Sequence, residues 1–296
     1  KSRSDFLFNK LFFKKEYFEV FFNHPKYMQW VTNSPFVQMK SGQKPEKLTA
    51  EERREKLINL FSKVETETPD ASFAIGFPAS ESKEYASTSG LVSDVMIETE
   101  QEDVYYSWIG AGLGIGIAGG YNLLINDAEI TLETFEGWKL YRKYLNDPVL
   151  ENLRGNQINS WNGQWLTYKL GKRYEKDFDF ATLENEEIFK VETSLAEVNT
   201  VNWSNLFFSL SNLYQEKTLN AYIYSLGQTN KTIGFIPIYL KAGKTLKEVC
   251  SQLFHSDQQF NNKDFQSIFG MHIKRACELG NIGVHALRPE NLKKYI

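Results

Sequence analysis

The sequence predicts a mixed α/β (α+β) fold with a central, mostly antiparallel sheet, flanking helices and a helical C-terminal part. Three observations lead to this class. Apolar residues recur at helical spacing before and after a middle region of short β-like runs bounded by glycine, proline and acidic turns. Two later strand-like runs are separated by four turn-forming residues, as in a β-hairpin. With 296 residues, 42% of them apolar, the chain can bury a large core.

The N-terminal part is predicted to be helical. Aromatic residues recur at helical spacing over residues 5–31, which indicates one or two helices with a wide buried face. Further along, Thr49-Ala-Glu-Glu52 has the spacing of a capping box, in which two side chains bond each other's backbone N–H groups. A helix is therefore expected to begin there and to continue through Leu57 and Phe61.

The middle of the chain is predicted to form the sheet. Its β-like runs lie at 72–77, 91–97, 104–108 and 121–126. A helix is predicted over 131–145, where Asn146-Asp147-Pro148 stops it, because the residue before a proline disfavours helical backbone.

The rest of the chain is predicted to be a long polar loop containing tryptophans, a helix over 201–219, and a hairpin of strands 220–226 and 231–240. Residues beyond 240 are expected to be helical almost to the end. We divide the chain into a mixed α/β domain with a glycine-rich hairpin, 1–199, and a hairpin plus helical subdomain, 200–296.

Composition limits the classes of function. A formal net charge of −3 lacks the overall positive charge of an autonomous nucleic-acid-binding domain, so any such binding must use a local patch. Two cysteines, Cys250 and Cys277, are too few for a disulfide framework, which favours a reducing, cytoplasmic location. The longest apolar run, 108–125, holds too much glycine to span a membrane as a helix, and no membrane partner is expected. Without an initiator Met or a signal peptide, the chain is expected to begin inside a longer protein.

The glycine-rich run has the spacing of a dinucleotide-binding loop at Gly114, Gly116 and Gly119. That loop requires a following helix, whereas residues 121–126 are predicted to form a strand. Close packing of the backbone is therefore the favoured explanation for these glycines.

The end of this run resembles the palm hairpin of nucleotidyl cyclases and polymerase-like domains, where a Gly-Gly-Asp-Asp turn joins two apolar strands. Here the turn is Gly119-Gly120-Tyr121-Asn122. In an active palm, acidic residues bind the metal ions that hold a nucleotide triphosphate. The resemblance implies a degenerate palm turn without catalysis, and the alternative is a glycine turn before a buried strand.

A second pattern matches the PD-(D/E)xK nucleases, in which two carboxylates hold Mg²⁺ and a lysine positions water. Pro69-Asp70 is followed by Glu81 and Lys83, but turn-forming residues 78–80 interrupt the strand that should lead into Glu81. A metal-dependent endonuclease remains an alternative function.

Other catalytic patterns are missing from the sequence. The four histidines, His24, His255, His272 and His285, have no metal-ligand spacing, so neither a metal nor another cofactor is expected. Common hydrolase and phosphotransfer motifs are also lacking. The sequence favours a non-catalytic protein.

A local excess of positive charge lies between residues 139 and 173, opposed only by Asp147 and Glu151. Cations that reach phosphates, aromatic rings that stack on bases and amides that pair with base edges together favour nucleic-acid binding. The predicted binding residues are Lys139, Arg142, Lys143, Arg154, Asn159, Gln164, Lys169, Lys172 and Arg173. The rings predicted to stack on bases are Trp138, Tyr141, Tyr144, Trp161, Trp165 and Tyr168.

Together, the degenerate palm turn, the basic aromatic middle and the helical C-terminal part resemble the large subunit of a type I CRISPR-Cas interference complex, of the I-D kind. The resemblance implies a subunit of an antiviral defence complex that binds target DNA or an RNA–DNA hybrid beside other protein subunits. Two further alternatives are a protein–protein scaffold, favoured if the aromatic surface of 5–31 is exposed and apolar, and a small-molecule binder that uses the glycine loop.

Overall fold

The computed structural model describes residues 23–26, 44, 47–66, 109–110, 112–171, 174–176, 178–179, 188–192, 195–214, 217–225 and 231–240. Helices and antiparallel strands in these ranges confirm the mixed α+β class. The strands predicted at 72–77, 91–97 and 104–108 and the helices predicted beyond 240 lie outside the described residues. So does the helical region predicted at 5–31, apart from a turn at 23–26.

The described part contains four α-helices and six strands. The helices are α1 (Ala50–Thr66), α2 (Ala128–Leu145), α3 (Ile158–Lys169) and α4 (Trp203–Leu213). The strands are β1 (Ile115–Ile117), β2 (Tyr121–Ile125), β3 (Phe189–Glu192), β4 (Leu195–Val198), β5 (Thr218–Ser225) and β6 (Lys231–Tyr239). Two short 3₁₀ turns, Pro148–Leu150 and Gly155–Gln157, connect α2 to α3.

The main sheet is antiparallel and has the order β1-β2-β5-β6, while β3 and β4 form a separate antiparallel hairpin. Leu124 of β2 lies opposite Tyr222 of β5, which in turn lies opposite Phe235 of β6. The sheet thus joins strands from both sides of the predicted boundary at 199/200, and the hairpin predicted near 220–240 is confirmed as β5 and β6.

Several helices begin or end at residues whose side chains cap or stop them. The Thr49 N–H donates to Glu52 Oε2 (2.8 Å) and the Glu52 N–H to Thr49 Oγ1 (3.2 Å), which confirms the capping box. Asp127 caps α2 by accepting from the N–H groups of Glu129 and Ile130. Helix α2 ends at Leu145, directly before the predicted Asn-Asp-Pro stop.

Two element predictions were wrong. The stretch predicted as a polar loop contains α3 and the β3–β4 hairpin, because the polar residues of α3 bond to neighbouring backbone instead of water. The helix predicted over 201–219 ends at Leu213, and β5 begins at Thr218. There, pairing of Leu219 with Ile238 of β6 overrides the local helical pattern.

Candidate nucleic-acid interface

The glycine-rich run packs directly against helix α3. A Cβ atom on Gly116 would lie 2.9 Å from the backbone of Asn159 and Ser160, and one on Gly163 would lie 2.5 Å from the carbonyl oxygen of Gly116. Asn162 Nδ2 also donates to the carbonyls of Gly112 and Gly114, both at 2.8 Å. These glycines therefore serve close packing of strand and helix, and β2 follows them where a dinucleotide loop needs a helix.

The predicted palm turn forms a hairpin between β1 and β2. Ile117 pairs with Tyr121, and Gly119 (φ 100°) and Gly120 (φ 78°) take left-handed backbone conformations that favour glycine. Asn122 is buried, at 7% exposure. Over the described ranges, no group of three or more His, Cys, Asp or Glu side chains could hold a metal ion.

Five of the six aromatic rings predicted to stack on bases are buried, so the prediction was wrong for these five; Tyr168 is half-buried. Trp138, Tyr141 and Trp161 have no exposed surface, and Tyr144 and Trp165 are 7% and 5% exposed. Trp161 stacks on Trp165 at 6.4 Å between ring centroids. These rings form the core between α2 and α3 and cannot reach a base.

The three indole N–H groups of this aromatic core all donate hydrogen bonds to acceptors within the protein. Trp138 donates to Asn162 Oδ1 (3.1 Å), Trp161 to the Gly137 carbonyl (2.7 Å) and Trp165 to the Glu133 carbonyl (2.7 Å). A buried donor without a partner is costly, so these bonds set how α3 lies against α2.

The two amides predicted to contact base edges are engaged with the protein's own backbone. Asn159 Nδ2 donates to the Gly114 carbonyl at 2.8 Å, and Gln164 Nε2 donates to the Asn199 carbonyl at 2.7 Å. Both contacts connect α3 to segments 35 or more residues away. Their donors therefore hold the fold together, and the exposed cations are the part of the predicted site that faces solvent.

The predicted cations fall into separate groups. Lys139 forms an ion pair with Glu136 (2.8 Å), and Lys169 lies 3.8 Å from Glu133 and over the Tyr174 ring at 4.0 Å. Lys143 and Arg154 are exposed. Lys172 and Arg173 lie outside the described residues, as do Asp70, Glu81 and Lys83 of the nuclease pattern.

Arg142 connects the predicted site to a segment that sequence analysis missed, the turn at residues 23–26. Its Nη2 donates to the Asn23 carbonyl at 2.5 Å. Lys26 Nζ donates to the Leu150 carbonyl (3.3 Å), and the Gly155 N–H donates to the Lys26 carbonyl (3.1 Å). Lys26 is thereby placed beside Arg154 at the C-terminal end of α2, although the two residues are more than 120 positions apart.

His24 is buried within this junction and is neutral. Its Nδ1 accepts the Lys26 N–H at 2.9 Å, so Nε2 carries the proton and donates to Asn146 Oδ1, also at 2.9 Å. Burial lowers the pKa of His24 from 6.5 to about 4; the Asn146 bond partly opposes this shift, and nearby Arg142, Lys26 and Arg53 add to it.

Comparisons with protein-family models, with curated proteins and with solved structures gave no match to this chain. Among the described helices, none combines the length and apolar character needed to cross a membrane.

Proposed function

We propose that this protein is a non-catalytic nucleic-acid-binding protein that contacts backbone phosphates at the C-terminal end of α2. The contact surface consists of Lys26, Arg142, Lys143 and Arg154, and we call it the α2 cation surface. The proposal rests on the exposure and the charge surroundings of Lys143 and Arg154. Both are exposed, and in the described part of the chain neither lies within ion-pair distance of a carboxylate.

Exposed cations without carboxylate partners are suited to phosphate contacts because binding costs no broken ion pair. Each neutralised phosphate releases condensed counterions, which makes such binding strongly dependent on salt. The negative end of the α2 dipole also favours cations here, and Asp147 and Glu151 partly offset the charge of Lys26. The surface therefore supports sequence-independent attraction more than base reading.

The test is fluorescence anisotropy with labelled duplex DNA, single-stranded DNA and an RNA–DNA hybrid over a series of salt concentrations. In Lys143→Ala/Arg154→Ala, affinity should fall for all sequences alike. The salt slope should decrease by about two units, roughly 0.9 for each phosphate that the variant no longer neutralises. Lys139→Ala/Lys190→Ala is the matched control, since it removes the same net charge from exposed lysines paired with Glu136 and Glu192.

The control should bind nearly as tightly as the unmodified protein. Equal losses of affinity in the two double variants would mean that only net charge matters, and the α2 cation surface would have no special role. Absence of binding at low salt by the unmodified protein would remove the nucleic-acid function altogether.

We further propose that the protein works as a cytoplasmic subunit of a larger complex, with target-DNA recognition in a CRISPR effector as the specific case. The resemblance of the Gly119-Gly120-Tyr121-Asn122 hairpin supports this case, and the low cysteine content supports the location. Flanking genes should then encode other subunits of such a complex, and a neighbourhood without them would argue against it. Purified protein should neither cyclise nor polymerise nucleotides with Mg²⁺ or Mn²⁺.

The proposed contact with another protein subunit is supported by an exposed aromatic residue on the main sheet, Phe235 of β6. Phe235 is 77% exposed, and its ring lies 5.1 Å from that of Tyr222 on the neighbouring strand. Tyr222 is half-buried, so Phe235 is the exposed member of the pair, and aromatic side chains are common anchors of protein interfaces. Phe235→Ser should weaken assembly with partner subunits in sedimentation or co-elution experiments while leaving DNA binding unchanged.

Two alternatives give opposite results in simple assays. A nuclease would cleave plasmid DNA with a divalent metal and lose this activity in Asp70→Ala or Glu81→Ala. A scaffold without nucleic-acid function would show no salt-dependent DNA binding while retaining the effect of Phe235→Ser.

A further inference from the structure

The turn at residues 23–26 contributes Lys26 to the α2 cation surface from a distant part of the sequence, and a side chain of the turn itself fixes its backbone. Pro25 has no backbone N–H, so the first backbone donor after His24 belongs to Lys26. It donates to His24 Nδ1 at 2.9 Å. A side chain that accepts the N–H two residues further on closes a tight turn, as Asn and Asp do in Asx turns. The imidazole of His24 therefore determines the backbone conformation at Lys26.

The same imidazole binds the turn to the end of α2. Its Nε2 donates at 2.9 Å to Oδ1 of Asn146, the residue that directly follows the helix. His24 is 4% exposed, so both ring nitrogens have protein partners away from water. A buried polar atom that loses its partner is costly, and undocking of the turn would separate Nε2 from Asn146.

Backbone contacts of the docked turn place Lys26 beside Arg154. The Gly155 N–H donates to the Lys26 carbonyl at 3.1 Å, and Lys26 Nζ donates to the Leu150 carbonyl at 3.3 Å. An ammonium group has three N–H donors, and the bond to Leu150 uses only one of them. Lys26 therefore keeps donors for a further acceptor while its position is fixed.

We propose that His24 is a positioning residue for nucleic-acid binding: by docking the turn at residues 23–26 on α2, it places Lys26 for contact with a phosphate next to the one that Arg154 contacts. His24 itself touches no nucleic acid. Binding and docking are then coupled, because a strand that contacts the docked Lys26 favours docking by the same factor by which docking favours binding. This inference rests on the proposed function for the identity of the ligand.

The main measurement is the salt dependence of duplex-DNA binding by the full chain, followed by fluorescence anisotropy at pH 7. Burial lowers the pKa of His24 to about 4, so the imidazole is neutral at pH 7 and His24→Ala leaves the net charge unchanged. The salt slope of this variant should nevertheless fall by about 0.9, the value for one phosphate contact. An unchanged slope would overturn the positioning role.

A double-mutant cycle tests whether His24 acts through Lys26. Lys26→Ala should also lower the salt slope by about 0.9, and His24→Ala/Lys26→Ala should lose no more than either single variant. Additive losses would mean that His24 acts independently of Lys26. That result, or an unchanged slope in Lys26→Ala, would contradict the proposal.

Thr134→Ala is the matched control for a general loss of stability. Thr134 is 1% exposed, and its hydroxyl donates to the Ile130 carbonyl at 2.7 Å in the first half of α2. Like His24→Ala, this variant removes a buried polar side chain without a change in net charge. It should keep the full salt slope. A loss equal to that of His24→Ala would assign the effect to destabilisation and refute a specific role of His24.

Nitrogen NMR of the histidine rings tests the docked geometry without any nucleic acid. At pH 7 His24 should be a neutral imidazole with its proton on Nε2, because Nδ1 accepts the Lys26 N–H. The signals are assigned by their absence in His24→Gln. A proton on Nδ1 would overturn the docked arrangement. If His24→Ala does not fold, this measurement and the salt slope of Lys26→Ala still decide the question.

The outcomes separate this role from the proposed function. A smaller salt slope in Lys143→Ala/Arg154→Ala with none of this loss in His24→Ala would refute the positioning role and keep the function. No DNA binding at low salt by the unmodified protein would refute the function and leave the docked His24 without a ligand to act on, whatever the position of its proton.

Discussion

The contact between α3 and β1 predicts that Gly163→Ala destabilises the protein even though alanine favours helices. Gly163 lies inside α3, where alanine in place of glycine gains about 1 kcal/mol of helix propensity. Its added Cβ, however, would lie 2.5 Å from the Gly116 carbonyl oxygen and 2.8 Å from Val201 Cγ2. The first distance is about 0.9 Å shorter than the 3.4 Å at which ordinary contact begins.

Relief of this overlap requires α3 to move away from β1, because the Gly116 carbonyl is backbone and cannot rotate aside. Such a movement would also lengthen the bonds from Asn159 and Asn162 to the glycine-rich run. Overpacking typically costs about 1–3 kcal/mol. After the gain of about 1 kcal/mol in helix propensity is subtracted, we expect the free energy of unfolding to fall by up to about 2 kcal/mol.

Urea unfolding followed by tryptophan fluorescence measures this decrease directly, since Trp161 and Trp165 lie on the same helix. Gly110→Ala is the control, because its Cβ would meet only Leu124 Cδ2 at an ordinary 3.5 Å. If Gly163→Ala is instead more stable than the unmodified protein by about 1 kcal/mol, the gain in helix propensity is not opposed by steric overlap. That result would refute the close packing of α3 on the glycine-rich run.

Three further predictions concern single interactions. The pKa of His24 is about 4 in the folded state and 6.5 in the unfolded state. The contribution of neutral His24 to the free energy of unfolding should therefore be complete above pH 6.5 and should decline toward pH 4, by at most about 1.4 kcal/mol per pH unit. Urea unfolding at pH 7 and pH 5 should show this decline, and an equal decline in His24→Gln would assign it to other groups. Thr49→Ala removes one half of the capping box and should cost about 1 kcal/mol, measured by thermal unfolding, whereas an unchanged stability would mean that the cap contributes little. Trp138→Phe leaves the buried Asn162 Oδ1 without its indole donor and should cost about 1–3 kcal/mol in chemical unfolding; a cost below roughly 0.5 kcal/mol, the usual limit for surface substitutions, would contradict the importance of that bond.

Elements whose signals lie within a few neighbouring residues were predictable from sequence. The capping box at Thr49, the end of α2 before Pro148 and the β5–β6 hairpin all appear as expected. In each case the interacting groups are close in sequence, so residue type and spacing are enough to specify the local backbone.

Features that depend on distant partners were not predictable in the same way. The tryptophans and amides between residues 138 and 165 have the composition of a base-binding surface, yet they pack and bond against the glycine-rich run, Gly137 and Asn199. An indole or amide has the same hydrogen-bonding groups whether its partner is a nucleobase or a backbone carbonyl. Only the fold decides which partner it meets.

For the cations of the candidate site as well, the sequence identified some members and the tertiary structure decided the rest. Sequence alone identified Arg142, Lys143 and Arg154 as part of a local positive excess within an acidic chain. The tertiary structure separated them from the paired Lys139 and Lys169 and added Lys26. The physical reason is that ion pairing and burial depend on contacts across the fold, such as the docking of His24 on Asn146 at 122 residues' separation.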